Sequence, residues 1–170
     1  MSQVAPWFER KFEFTFCPEQ FPNLCSRLRG TPARLEEIIR AKSAEVFRRK
    51  TADHWSAQEH AGHLADLEPL WLARVEDFLK EESTLTVADL SNRKTHEANH
   101  NARESKQISE NFRAGRARLL HRVESLQLAS ITRTLLHPRL QQPMRLVDHL
   151  YFVAEHDDHH LARMWEMIRF

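Results

Sequence analysis

His149-Leu150-Tyr151-Phe152-Val153-Ala154-Glu155-His156-Asp157-Asp158-His159-His160 lies in a segment that reads as one helix, from about Arg145 almost to the C-terminus. At about 3.6 residues per turn, positions four apart share a face, with Cβ atoms roughly 5–6 Å apart. His156 and His160 can therefore aim two imidazoles at one point, as two metal ligands must. His149 shares their face with Phe152, Val153 and Met164, so the face should turn into a core. A histidine among apolar neighbours needs a hydrogen-bond partner or a metal. Two on one inward face are hard to satisfy separately, and spacing alone leaves both readings open.

Three further helices precede this one. Thr31-Pro32 reads as a helix opening, a capping hydroxyl followed by proline at the first helical position. Leu35, Ile38, Ile39 and Val46 continue it to about Arg49. Residues 1–30, with Phe12, Phe14 and Phe16 at alternate positions and then Pro18 and Pro22, read as an irregular lead-in whose aromatics cap the core; some helix is possible around Glu19–Leu28. Ser56-Ala57-Gln58-Glu59 is a capping box. It opens a second helix with His60, His63, Leu64, Leu67, Leu70, Trp71, Val75 and Phe78 at helical spacing, ending at Lys80-Glu81-Glu82. A long polar connection over 83–95 leads to a third helix, about Glu97 to Leu126, and a loop with Pro138 and Pro143 leads to the fourth. No strand pair is expected. The pattern predicts an all-α four-helix bundle, residues 1–170 forming a single domain. The long second connection argues against the simplest up-down-up-down order.

Composition narrows the function. Hydrophobic residues are 41% and charged residues 29% of 170, ordinary for a soluble domain with its own core. Lys+Arg at 25 against Asp+Glu at 24 leaves no cationic excess for nucleic acid. No run approaches the ~20 apolar residues of a membrane span, and Met1-Ser2-Gln3-Val4-Ala5-Pro6-Trp7 lacks the pattern of a signal peptide. A cytoplasmic protein is expected. Cys17 and Cys25 form no zinc pattern and read as reduced thiols.

The second helix offers a third imidazole, His63, on its apolar stripe beside His60 and Glu59. Three imidazoles with an open fourth position characterise catalytic rather than structural zinc-type sites. His96 and His100 are also four apart, but their polar surroundings point to a solvated face. Structural roles are expected for His54, His121 and His137.

Trp55-Ser56-Ala57-Gln58-Glu59-His60-Ala61-Gly62-His63-Leu64-Ala65-Asp66, followed by the His156–His160 run, resembles the DinB-like superfamily. Arg10-Lys11-Phe12 and Leu28-Arg29-Gly30-Thr31-Pro32-Ala33-Arg34 resemble a branch of it. The resemblance implies a four-helix bundle of DinB/YfiT type with an irregular N-terminal lead-in. It also implies a divalent metal held by His63, His156 and His160, with His159 outside the ligand set.

Three neutral imidazoles leave a metal its full double charge, which lowers the pKa of a bound water toward ~7. The resemblance implies a small-molecule enzyme, either a metal-dependent hydrolase or an S-transferase using a low-molecular-weight thiol as co-substrate. Zinc and nickel both suit imidazole. Glu59 and Asp66, each about one turn from His63, are candidates to orient an imidazole or act as general base. Asp157 and Asp158 read as solvent-facing, and Asn99 and Arg116 as possible pocket residues. The competing expectation is a non-enzymatic metal-binding or stress-response module. Homodimerisation is plausible for bundles of this type.

Overall fold

The computed structural model describes residues 4–51 and 54–169; the first three residues of the expected lead-in lie outside them. The helices are α1 (Phe21–Arg40), α2 (Ala44–Arg48), α3 (Ala57–Lys80), α4 (Arg93–Glu97), α5 (Ser105–Glu124), α6 (Leu128–Ile131) and α7 (Leu146–Ile168). Between α6 and α7 stands a hairpin of β1 (Thr134–His137) and β2 (Gln142–Arg145). The four long helices α1, α3, α5 and α7 form the expected bundle. Their contacts run α1–α5–α3–α7 and back to α1. The first and second long helices therefore sit across a diagonal, which is not up-down-up-down order. No helix among the described residues is long and apolar enough to cross a membrane.

The capping box forms as read: Ser56 Oγ accepts from Glu59 N at 3.1 Å, and Glu59 Oε2 accepts from Ser56 N at 2.8 Å. Helix α3 ends where Glu81 turns left-handed, at φ 61°.

Four expectations need correction. Helix α1 begins at Phe21, with Pro22 in its first turn, and Thr31-Pro32 lies inside it. Proline has no N–H, so the carbonyl four residues back, Leu28 O, loses its helical donor. Arg116 of α5 supplies one, Nη1 to Leu28 O at 3.2 Å. A tertiary bond thus replaces the local one, and the helix runs through. At its far end the chain breaks over Ala41–Ser43, where Ser43 caps the short α2 through Val46 N.

The third long helix starts at Ser105, not near Glu97. Asn92 (φ 53°) and Asn99 (φ 47°) turn the preceding chain left-handed, a conformation asparagine tolerates, and split off α4. The hairpin is the last correction. Its strands have only four residues each, too few for alternation to show. The expected long connection is pinned beside it, with Leu85 N donating to Leu136 O at 3.0 Å and Leu85 buried.

Two apolar clusters fill the bundle. One gathers Leu28, Val75, Phe78, Leu119, Leu150 and their neighbours; the other gathers Leu35, Phe47, Leu64, Phe112 and Met164. On α5 and α7 the sequence passes from one cluster to the other through charged or imidazole side chains, Arg116 and His156–His160. A polar layer therefore crosses the core. Arg116, 1% exposed, is clamped there by Glu68 (Nη2 to Oε1, 2.7 Å) and Asp157 (Nη1 to Oδ2, 2.5 Å).

Candidate metal centre

His60 and His63 come from the first turns of the capped α3; His156 and His160 are successive turns of one face of α7. Packing of α3 against α7 brings them together. His63, His156 and His160 are all buried, each offering a ring nitrogen, and these three atoms lie within 4.8 Å of one another. His156 Nε2 and His160 Nε2 are 3.1 Å apart. A tetrahedral ion with metal–nitrogen distances near 2.0–2.1 Å separates its donors by about 3.3 Å. The spacing fits such an ion with small adjustment.

Hydrogen bonds fix which nitrogens face the centre. Thr95 Oγ1 is 3.0 Å from Asp66 Oδ2, an oxygen that only accepts, so the threonine proton goes there. At 3.1 Å from the same hydroxyl, His63 Nδ1 must then donate. His63 thus carries its proton on Nδ1 and keeps the Nε2 lone pair free for a metal. Asp66 also accepts from His100 Nε2 at 2.8 Å. On the other side, His160 Nδ1 and His60 Nδ1 are 2.8 Å apart. With His160 as donor, its Nε2 is likewise free. His60 is an orienting partner on this geometry, and buried groups hold His63 and His160 in the useful tautomer, whereas His156 Nδ1 is buried without a hydrogen-bond partner.

Burial keeps these rings neutral, the form a metal requires. It pushes His63 down to about 4 despite the nearby Asp66 carboxylate, and holds His156 and His160 well below the usual imidazole value. His159, half-buried, is lowered to about 4, first by burial and then by Arg10 and Arg163.

A cavity of about 340 Å³ opens onto the cluster, within the range of small-molecule sites. Trp7, from the lead-in, lies 5.0 Å from His156 ring to ring; Trp55 lies 4.8 Å from His63, and Trp71 lies 5.4 Å from His156. The lead-in aromatics do cap the core, and Trp7 also forms a wall of the cavity. His159 and Asp89 line it too, and Asp89 is the only carboxylate among the described residues that do.

Other candidates fall elsewhere. Glu59 does not line the cavity; its carboxylate serves the cap and pairs with Lys50 Nζ at 2.9 Å. Arg116 belongs to the buried clamp. Asn99 is exposed and turns the chain. Asp157 is fully buried and Asp158 pairs with Arg27 and Arg34, so neither is a free solvent-facing carboxylate. His96 is exposed as expected, but His100 is buried against Gly62, where any Cβ would come within 2.4 Å of its ring. His137, expected to be structural, is buried and receives Arg139 N and Leu140 N, and it also lines the cavity. Both cysteines are free, Cys17 exposed and Cys25 buried. Sequence reading missed Thr95 and Trp7. Thr95 sits in a polar run, and Trp7, though close to Arg10-Lys11-Phe12, has no spacing that ties it to the histidines.

The sequence matches the DinB superfamily over residues 27–164, a span containing all three histidines. The chain belongs to the DinB superfamily. Its fold also matches a solved structure described as "YfiT from Bacillus subtilis is a probable metal-dependent hydrolase with an unusual four-helix bundle topology". The TM-score is 0.82 at 19% identity, over 95% of this chain and 93% of that one. No curated protein matches the sequence significantly. For a DinB-superfamily chain, the diagonal placement of the first two long helices accords with the unusual topology ascribed to that neighbour.

Proposed function

We propose that this DinB-superfamily chain is a metal-dependent enzyme acting on a small molecule, with zinc or nickel held by His63, His156 and His160. The observation that carries the proposal is the set of three buried, neutral imidazoles that each bring a ring nitrogen to one point at an aromatic-walled cavity. An ion bound there supplies Lewis acidity, lowering the pKa of water or a thiol and polarising a carbonyl. The chain's own residues do the rest. Thr95, Asp66 and His60 orient the imidazoles. Trp7, Trp55 and Trp71 exclude bulk water and bind apolar surface. Neutral His159, beside His160, lines the cavity.

Two reactions suit this arrangement. Hydrolysis is the reading carried from the description of the YfiT neighbour. Transfer of a low-molecular-weight thiol is the second; Asp89, the one carboxylate among the described residues that line the cavity, already accepts from Ser91 and Arg93 N, and an acidified thiol needs little help from a base. A non-enzymatic metal-binding module would not need a cavity reaching the cluster.

Metal analysis tests the proposal. One divalent ion per chain is expected, lost in His63→Ala, His156→Ala and His160→Ala but retained in His96→Ala. A protein that takes up no stoichiometric metal overturns it. Product analysis separates the two reactions: thiol transfer requires an added small thiol and leaves it bonded to the product, whereas hydrolysis proceeds without one.

A further inference from the structure

Away from the histidine cluster, the same cavity carries two guanidiniums that pair with no carboxylate among the described residues, its lining carboxylate Asp89 being taken up by Ser91 and the Arg93 N–H. Arg74, Arg139 and His137 all line the cavity. Arg74 is 2% exposed; its Nε donates to Thr86 O at 2.9 Å and its Nη1 lies 3.1 Å from His137 Nε2. Both partners are neutral. Arg139 stacks over Phe8 (5.4 Å) and Phe152 (5.8 Å), pairs with no carboxylate among the described residues, and leaves Nη2 buried without a hydrogen bond. A buried cation without a paired anion is costly, and a second cation close enough to act on it adds to the cost.

Donors also outnumber acceptors here. His137 Nδ1 receives Arg139 N at 3.2 Å and Leu140 N at 3.1 Å, while Arg74 approaches Nε2. A neutral imidazole has one lone pair and cannot accept on both nitrogens. Electrostatics point the same way. Burial, with the two arginines, pushes His137 down to about 3; burial lowers Arg139, and burial together with Arg139 brings Arg74 to about 10 against the pull of Asp77.

We propose that this end of the cavity binds the carboxylate of the substrate, which is therefore a small amphipathic acid. The planar Arg139 fork takes the carboxylate oxygens, with Arg74 adding charge. Phe152 and Trp71 flank the apolar body. Each aromatic connects the two ends: Arg74 Cζ lies 5.6 Å from the Trp71 ring, itself 5.4 Å from His156. Phe152 is one helical turn before His156. The placement of the reacting group at the histidines rests on the metal-enzyme reading; the carboxylate site does not.

Calorimetric titration with 3-phenylpropionate and its neutral amide tests the site on metal-free and zinc-loaded protein. The acid is expected to bind about tenfold more tightly than the amide in both forms, the worth of one charge-assisted pair. Arg139→Gln should bring the two ligands to similar affinity without changing zinc stoichiometry, and Arg139→Lys should keep part of the preference. Equal affinity in the wild type, undetectable binding of the acid, or a preference surviving Arg139→Gln overturns the proposal. If zinc is not taken up, the metal reading fails, yet the metal-free titration still decides the carboxylate site.

Discussion

At the scale of single residues, Thr95 is the most informative side chain near the centre. Its hydroxyl joins His63 to Asp66, so Thr95→Val removes the bond that sets the His63 tautomer while keeping side-chain size. Metal affinity should fall about 10–100-fold, as when other outer partners of metal ligands are lost, and Thr95→Ser should restore most of it; competition with a chelator measures both. Gly62 is a steric case. A methyl there meets the His100 ring within 2.4 Å, so Gly62→Ala should cost about 1–3 kcal/mol, read from urea unfolding. The three candidate ligands were legible because helical spacing is a local property, which put His156 and His160 on one face and His63 on the apolar stripe of a capped helix, and the resemblance implied the same three. Thr95, His100 and Arg139 were not, because each acquires its neighbours only when a loop folds back on a helix.

At the scale of elements, local signals succeeded where local chemistry decides. The Ser56 capping box predicted the start of α3 because both of its bonds are made within four residues. Ser56→Ala removes the acceptor for Glu59 N and the partner of Asn101 Oδ1, 2.7 Å away. A loss of about 1 kcal/mol is expected from thermal or urea unfolding. Thr31-Pro32 carries the same kind of signal and misled, since the donor that compensates for Pro32 comes from Arg116, 84 positions away in sequence. Arg116→Met should therefore do double damage, stranding Glu68 and Asp157 as well as Leu28 O. About 3–5 kcal/mol of stability should be lost, the cost of breaking a buried ion cluster at one member.

For the molecule as a whole, histidines buried outside the polar layer make stability depend on acid. Burial, the first cause, holds His137 down to about 3 and His149 well below the usual value. Unfolded, both take up a proton near pH 6.5. Below that pH the unfolded chain binds more protons than the folded one, so stability present above pH 6.5 is lost as the pH falls. Each such group contributes a slope of about 1.4 kcal/mol per pH unit until its folded pKa is reached. Urea midpoints of metal-free protein should drop steadily from pH 7 to pH 5, and a flat profile would contradict neutral burial. The ring of indoles has an optical consequence. Trp7, Trp55 and Trp71 surround the histidines, Trp165 packs in the other cluster, and the chain has one tyrosine. Most of the intrinsic emission therefore originates beside the candidate centre. Loading with paramagnetic nickel or cobalt should darken it, whereas zinc should leave it bright, so the protein's own fluorescence can follow metal exchange without a label.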